Sequence, residues 1–542
     1  MMLAMHPMLT ALMPEITLVV GGSVILLAGL VTSRSESRSP ADTNLGSGAF
    51  VWLALLAVAG ALHLARGLSE STVEQVSGLN QDSLLWYARL IGLSVGALIL
   101  LVNRHVPEPH ERGEFFALIL FSLAGLLLVA AANNLILLFL GLELVSVPTY
   151  ILVGLSRRDI RAQEATGKYF FLGAFAAALM LYGFSFLYGA AGTMQLFPSQ
   201  ASQHSIYTVL SEPGAMSDTI VVIGVLLALA GLAFKVAAVP LHFYVADVYQ
   251  GAASPVTGLL GFVPKFAGFV ALVRLFWLCG WTYGDAMFWL LWGIAAATMF
   301  VGNTLALMQH NVKRMLAYSS VAHSGYMLVA LVAGPGINPA SASPMRNGVT
   351  AMLFYIAVYG VMNLGAFAAL SFFRKQGEDG EDSVEMLDDL AGAARRHPWA
   401  SLALAVCVMG LMGFPLTGGF LGKLYVFSAA LSATDGAAGH QAMIVLVVIA
   451  VLNSAIAAAY YLRILATCYL RKPADDMRPS RCQVLRVSMA LCAIIVLTAF
   501  FRPSVFFDAA SQAGAWRPWN VERVAALPVS ADASFDGETA GR

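Results

Sequence analysis

Long apolar runs alternate with short polar connections along almost the whole chain. They fall at approximately residues 13–32, 48–66, 84–102, 114–132, 134–155, 166–191, 218–239, 253–279, 286–308, 314–333, 347–373, 398–432, 440–465 and 483–503. A hydrocarbon core about 30 Å thick is crossed by roughly 20 helical residues, and each run is about that long or longer. Backbone groups in lipid are satisfied only within helices or closed barrels, and the two-residue alternation of a barrel strand is absent from these runs. The pattern therefore predicts an all-α polytopic membrane protein of about fourteen transmembrane helices.

The polar connections give the expected orientation. With the N-terminus outside, the inner connections collect most of the basic residues, among them Arg104, Arg112, Arg157, Arg158, Lys313 and Arg314. The outer ones hold little beyond Arg66 and Arg346, although the C-terminal tail adds Arg502, Arg517, Arg523 and Arg542, and the outer stretch from Gly192 to Ser217 has no lysine or arginine. Cytoplasmic loops carry the basic excess, so both termini are expected on the non-cytoplasmic side. One missed span would scramble every connection after it, and the asymmetry persists to the end. The first run lacks a basic leading region and a small-residue cleavage site, and it reads as a retained span.

Composition narrows the function classes. Hydrophobic residues make up 59% of the chain and charged residues 11%, with a mean hydropathy of +0.75, far from soluble-domain values. The 31 basic and 31 acidic residues cancel, which leaves no electrostatic case for a nucleic-acid partner. The five cysteines (Cys279, Cys407, Cys468, Cys482, Cys492) form no CxxC pair and have no histidine at metal-ligand spacing, so they read as small buried hydrophobes, with no metal site expected. The connection 374–397, acidic and then basic, is expected to be a solvated connector with one short amphipathic helix around Met386 to Ala394. Trp516, Pro518 and Trp519 read as an interfacial anchor, and the chain after about Ser530 as disordered.

Four ionisable residues inside apolar runs stand out: Glu143 in NNLILLFLGLELVSVPTY, Lys235 in GLAFKVAAVP, Lys265 in GLLGFVPKFAGFV and Lys423 in GFPLTGGFLGKLYVF. A charge at mid-span costs about 2.5–3.5 kcal/mol on insertion scales, so each is a functional candidate. One such residue alone could be a structural ion pair or a contact with a water pocket. One carboxylate and three amines together would need several unrelated compensations. A lysine in low dielectric prefers the neutral form and a nearby carboxylate restores its charge, so a Glu143–Lys235 pair would act as a switch. His323, Ser319 and Ser320 are groups that could bridge gaps between lysines with water.

Helix breakers sit beside these charges. Pro240 follows Lys235, and Gly413, Pro415, Gly418 and Gly419 precede Lys423, so spans 7 and 12 are expected to be broken. Broken helices at membrane depth are tolerated where backbone faces protein or water, although proline is also common in membrane helices generally. The lysine precedes the break in the first half and follows it in the second, an order compatible with two inverted five-helix repeats. The expected organisation is an N-terminal three-helix segment (1–113), two repeats (114–279 and 286–465), a C-terminal transmembrane helix (466–503) and a polar tail (504–542).

The motifs GLELVSVPTY, EATGKYFFLGAFAAALMLYGFSFLYGAAGT, AFKVAAVPLHFYVADVYQGAASPVTG, NVKRMLAYSSVAHSGYML and MGFPLTGGFLGKLYVF resemble those of the antiporter-like subunits of bacterial proton-pumping NADH:quinone oxidoreductase, respiratory complex I. The resemblance covers about residues 10–500 and is nearest to the N-subunit branch. It implies a proton path near the bilayer midplane. Within that path Glu143 looks like the carboxylate paired with Lys235, Lys265 like the central relay, Lys423 like the terminal charge of the second half, and His323 like the family's central histidine. Without the resemblance His323 reads equally well as a hydrogen-bonded interior histidine. The resemblance further implies a bacterial inner membrane location and partners among the other membrane subunits, including a neighbouring antiporter-like subunit and small membrane subunits. FMN, iron–sulfur clusters and quinone would reside in partner subunits, with no cofactor in this chain.

Competing readings share parts of this pattern. A multisubunit sodium/proton antiporter of the Mrp type carries the same charged axis without electron transfer. Within complex I, the M-type pattern places an acidic residue at the position of Lys423, and the L type is longer, with a lateral helix after its last span. An intramembrane acyltransferase is suggested only by the spacing of His242 and Asp247, with no nucleophile beside them. Those two residues are expected to bond water or neighbouring backbone. A purely structural scaffold would not need four mid-span charges.

Overall fold

The computed structural model describes residues 7–36, 43–68, 78–199, 202–212, 214–279, 281, 285–335, 344–377, 380–433, 436–473, 477–480 and 482–515. Six long helices come first: α1 (Met13–Glu36), α2 (Thr43–Gly67), α3 (Ser83–Val102), α4 (Arg112–Ala131), α5 (Leu135–Leu155) and α6 (Ile160–Ala191). Shorter pieces follow as α7 (Thr219–Lys235), α8 (Val245–Gly251), α9 (Ser254–Leu260) and α10 (Val263–Leu278). Then come α11 (Asp285–Leu307), α12 (Val312–Ala333), α13 (Gly348–Phe372), α14 (Pro398–Met412), α15 (Gly418–Leu431), α16 (Gly436–Leu470), α17 (Gln483–Phe501) and α18 (Ser504–Gly514). Among the described residues, twelve segments are long and apolar enough to cross a membrane, and three apolar helices, α7, α14 and α15, are shorter.

Polar residues at the edges of the apolar runs start the helices. The side chains of Asp82, Asn134, Asp159, Asp218, Asn311 and Asn347 each accept from a backbone N–H in the first turn of the helix that follows. Those N–H groups have no partner inside the helix, so the caps set where each helix begins. The ends of α7 and α14 have different causes. Pro240 has no N–H to donate and its ring would collide with the carbonyl of Val236, so α7 stops at Lys235 and Ala237 turns with φ +59°. Gly413 caps α14 with φ +83°, a region open to glycine, and its N–H donates to Met409 O at 3.0 Å.

The apolar segment Ser254–Leu278, which holds α9 and α10, and helix α13 are buried on every side. A helix that is apolar all round belongs in a core, and α13 packs against α9, α12, α14, α15, α17 and α18. On the other side α10 packs against α4, α5 and α7. Of the lysine-bearing helices, α7 packs on α10 while α15 packs on α12 and α13, and α1 and α2 present large side chains such as Leu27, Val31 and Leu56 outward. Cys279, Cys407, Cys468 and Cys492 are buried and Cys482 partly so, none of them in a disulfide.

Two connections differ from expectation. The stretch 374–397 is docked, and the fold is not purely helical: β1 (Phe373–Gly377) pairs antiparallel with β2 (Gly380–Ser383) and with β3 (Met477–Pro479) in the order β2-β1-β3. In place of one amphipathic helix there is a 3-10 turn at Leu387–Leu390 and a four-residue helix, Ala393–Arg396. The cause is Glu385, whose carboxylate meets Arg157 at 2.5 Å and buried Lys313 at 3.4 Å while its backbone carbonyl accepts from Val312 N–H at 2.7 Å. Burial pushes the Glu385 carboxyl up, yet Lys313 and Arg157 hold it below the ordinary carboxylate range. Pinned there, the connector buries Leu387, Leu390 and Ala393. Beyond the last long helix, the stretch read as a polar tail begins with α18, which packs on α3 and α13 and accepts from Asn347 Nδ2 at Gly514 O, 2.9 Å. The expected Trp516–Trp519 anchor and the chain after Ser530 lie outside the described residues.

Candidate functional site

Glu143 and Ser146 sit three residues apart on α5, hence on one face. Both point at the end of α7, where Lys235 Nζ donates to Glu143 Oε1 at 2.9 Å and to Ser146 Oγ at 2.5 Å. The Lys235 side chain is 4% exposed and that of Glu143 22%, so the amine is enclosed and the carboxylate lies at the edge of the chain. The break after Lys235 is saturated by hydroxyls. Tyr244 Oη donates to Phe234 O at 2.9 Å, Ser324 Oγ donates to Val236 O at 2.5 Å, and Val239 N–H donates to Thr298 Oγ1 at 3.0 Å. These contacts replace the helix ladder that Pro240 interrupts.

A cavity of about 20 Å³, lined by Lys235, Ala237, Tyr249, Pro264 and Lys265 among others, joins the first lysine to the second. That volume holds about one water molecule. Lys265, in the first turn of α10, donates to Ser320 O at 2.5 Å and to Ser320 Oγ at 2.6 Å, and lies 5.2 Å from the ring centre of Tyr359. Tyr249 Oη is 3.2 Å from Ser320 Oγ. One turn along α12 from Ser320, His323 is held between two phenols, with Nδ1 at 2.7 Å from Tyr355 Oη and Nε2 at 3.1 Å from Tyr461 Oη. Tyr461 Oη in turn bonds Ser319 Oγ. A neutral imidazole donates through one nitrogen and accepts through the other, and a phenol does both, so either tautomer fits. A proton taken at one nitrogen can leave from the other.

Lys423 closes the second half. Its amine donates to Met412 O at 2.8 Å, a carbonyl left without a helix partner where α14 ends, and to Ser454 Oγ at 2.9 Å. It also stands 4.9 Å over the Tyr326 ring. A Cβ at Gly413 would fall 2.9 Å from Lys423 Cδ, so the glycine admits the side chain to the broken end as well as making the turn. Beyond Lys423 a polar group continues inward: Asn303 Nδ2 donates to Asn453 Oδ1 at 3.2 Å, and Tyr460 Oη donates to Asn303 Oδ1 at 3.1 Å.

The five residues singled out in the sequence thus fall into one connected region, with Glu143 and Lys235 in direct contact and Lys265, His323 and Lys423 linked through hydroxyls and rings. Sequence reasoning missed most of the linkers: Ser146, Tyr355, Tyr461, Ser454, Asn303 and Asn453. It also missed further buried charges. Arg89 is paired with Glu15 at 2.9 Å and Arg274 with Asp82 at 2.6 Å, although both arginines lie inside apolar runs and could have been noticed. Their partners come from helix ends, which marks them as ties between helices. Asp247 is not left to water and backbone as expected: it accepts from Lys168 at 2.9 Å and Arg314 at 2.6 Å.

Because Lys235 and Glu143 share one contact, their effects on function should not add. Glu143→Gln is expected to weaken proton movement, and adding Lys235→Ala to it to cost little further. Proton uptake measured in reconstituted vesicles for both single variants and the double variant checks this. Strictly additive losses would show that the two groups act separately.

Residues 132–456 match the family model described as NADH:quinone oxidoreductase/Mrp antiporter, TM. A curated relative from Solibacter usitatus, named NADH-quinone oxidoreductase subunit N 1, is 37% identical over 465 residues, covering 85% of this chain and 88% of its own. A chain of respiratory complex I from Thermus thermophilus with bound aureothin superposes with a TM-score of 0.72 at 29% identity, covering 92% of this chain and 99% of that one. A chain of the Mrp complex from Dietzia sp. shares the fold alone, at 20% identity and a TM-score of 0.73, covering 92% and 97%. Near-complete overlap with these relatives, in a helical chain that buries Lys235, Lys265 and Lys423, leads to one assignment: the chain belongs to the NADH-quinone oxidoreductase subunit N family of antiporter-like membrane proteins.

Proposed function

We propose that this chain is a proton-translocating membrane subunit of NADH:quinone oxidoreductase, and that protons move through it along the file Glu143, Lys235, Lys265, His323 and Lys423. The observation that carries this reading is the Glu143–Lys235 contact opening onto a one-water cavity that ends at Lys265. In the file Glu143 holds charge on Lys235, Lys265 passes protons by way of Ser320, His323 relays between its two phenols, and Lys423 is the terminal carrier of the second half. No redox step falls to these residues; FMN, iron–sulfur clusters and quinone belong to partner subunits.

Fourteen spans follow if α7 with α8, and α14 with α15, each count as one broken span, the seventh and twelfth. Residues 114–279 and 286–465 are then inverted repeats, in which Lys235 ends the first piece of its broken span and Lys423 lies in the second piece. They are flanked by the segment 1–113, the span within 466–503 and the stretch 504–542. Both termini face away from the cytoplasm of a bacterial inner membrane. The partly exposed Glu143, on an otherwise apolar edge, supports contact with a neighbouring membrane subunit there, since a mid-span carboxylate facing lipid is costly.

The Mrp-type antiporter remains the second reading, because the family model spans both and the fold is shared. Purification through a tag on this chain separates them. A large assembly with flavin and iron–sulfur absorbance is expected. Recovery of membrane subunits alone, with no such absorbance, would transfer the chain to the antiporter.

A further inference from the structure

Helix α13 is apolar and buried on every side, yet it carries Tyr355 and Tyr359 one turn apart on one face. A phenol buried in protein ordinarily finds a hydrogen-bond partner. Tyr355 has one, since its Oη is 2.7 Å from His323 Nδ1. Tyr359 is fully buried, and its Oη completes no hydrogen bond of ordinary length and angle among the described residues. Its ring stands between two members of the proton file: Lys265 Nζ is 5.2 Å from the ring centre, and the centre of the His323 ring is 4.9 Å away, with the two planes tilted by 38°. The next residue, Gly360, makes this arrangement possible. A Cβ there would fall 2.3 Å from the Phe262 ring, so the glycine lets the start of α10, and Lys265 with it, close against this turn of α13.

The hydrogen bonds on either side of the Tyr359 ring form two separate groups. Lys265, Ser320 and Tyr249 make one, and His323, Tyr355, Tyr461 and Ser319 make the other. Among the described residues no side-chain hydrogen bond joins them. Ser320 of the first group and Tyr461 of the second are both near enough to act on the Tyr359 phenol. An unmet buried hydroxyl costs about 1–3 kcal/mol, and this one lies at the point of the file where a carrier is lacking.

We propose that Tyr359 is a relay residue of the proton file, its Oη carrying protons between Ser320 and the phenol that holds His323. The inference rests on the proton path proposed above. In the step, Lys265 as ammonium gives a proton to Ser320 Oγ, Ser320 gives its own to Tyr359 Oη, and Tyr359 passes its phenolic proton to Tyr355 Oη, which gives its own to His323 Nδ1. Each hydroxyl gains one proton and loses one, Lys265 is left neutral and His323 becomes the cation. A hydroxyl both donates and accepts, so rotation of the Tyr359 O–H serves the two groups in turn while packing holds the ring still.

Tyr359→Phe tests this, because it keeps the ring against Lys265 and His323 and deletes only the oxygen. The intact complex is reconstituted in vesicles, and proton uptake per electron is read beside thermal stability. Uptake should fall several-fold with the loss of a positioned proton carrier, while the melting temperature holds or rises because an unmet buried hydroxyl is gone. A ring-fluorinated tyrosine placed at 359, a more acidic phenol of nearly the same shape, should move the alkaline loss of pumping to lower pH, since the relay needs the protonated phenol. That second measurement also serves if Tyr359→Phe fails to assemble. Wild-type uptake in Tyr359→Phe, or a pH profile unmoved by fluorination, would overturn the inference. Lys265→Ala, measured alongside, separates the two readings: lost pumping there with normal pumping in Tyr359→Phe removes Tyr359 alone, and normal pumping in both removes the file as well.

Discussion

Lys235→Ala is expected to leave the complex assembled and quinone reduction running while removing most of the coupled proton pumping, by tenfold or more. The substitution deletes the only amine that touches Glu143 among the described residues, and so removes the cation of the proposed switch. Breaking a fully buried ion pair costs about 3–5 kcal/mol, which would threaten folding. Here the residual carboxylate is 22% exposed, and the vacated space opens into the existing cavity beside Lys265, where water can enter. The hydroxyls that saturate the helix break do not involve the lysine side chain, so the turn at Pro240 survives. Proton uptake per electron, read from a pH-sensitive dye in vesicles fed with NADH and quinone, gives the answer directly. A wild-type ratio in an assembled variant would remove Lys235 from the path.

Lys423→Glu has the second-largest expected effect. The lysine amine is the donor to Met412 O at the broken end of α14 and to Ser454 Oγ. A carboxylate there repels the Met412 carbonyl, whereas the neutral acid still donates to it, so the fold should persist with a loss of about 1–3 kcal/mol from imperfect hydrogen bonding. The field along the file is reversed or cancelled at its far end, and transfer through His323 should slow. A positioned proton carrier contributes on the order of 10²–10⁴ in rate, and a fall in pumping of at least tenfold is expected, with Lys423→Arg losing less because it keeps charge and donors. Thermal stability of the purified complex, measured beside pumping, separates the two effects. Normal pumping in an intact Lys423→Glu complex would mean that the file ends before residue 423.

The helices and the costly charges were legible because both are local properties. An apolar run declares its length without knowing its neighbours, and Asp82, Asn134 or Asn347 at its edge predicts where it starts. The expense of Glu143, Lys235, Lys265 or Lys423 inside such a run depends on the run itself, so a single sequence exposes it. His323 had no such signal of its own, and the motif AYSSVAHSGY singled it out by resemblance.

The partners of those charges were another matter. Serine is tolerated almost anywhere in a membrane helix because it can bond the carbonyl one turn back, and a tyrosine ring is largely apolar, so nothing in the sequence distinguishes Ser146, Ser454 or Tyr461 from hydroxyls with no role. Glu385 is one acidic residue among many in its connector, and only the approach of Arg157 from the α5–α6 connection and Lys313 from the start of α12 turns an expected solvated strap into a docked one. By itself the sequence determined the helical membrane class, where the long apolar helices lie and which ionisable residues fall inside them. The tertiary structure decided which of these meet, because burial cost is set along one helix whereas its compensation comes from side chains that are far apart in the chain and adjacent only once the helices have packed.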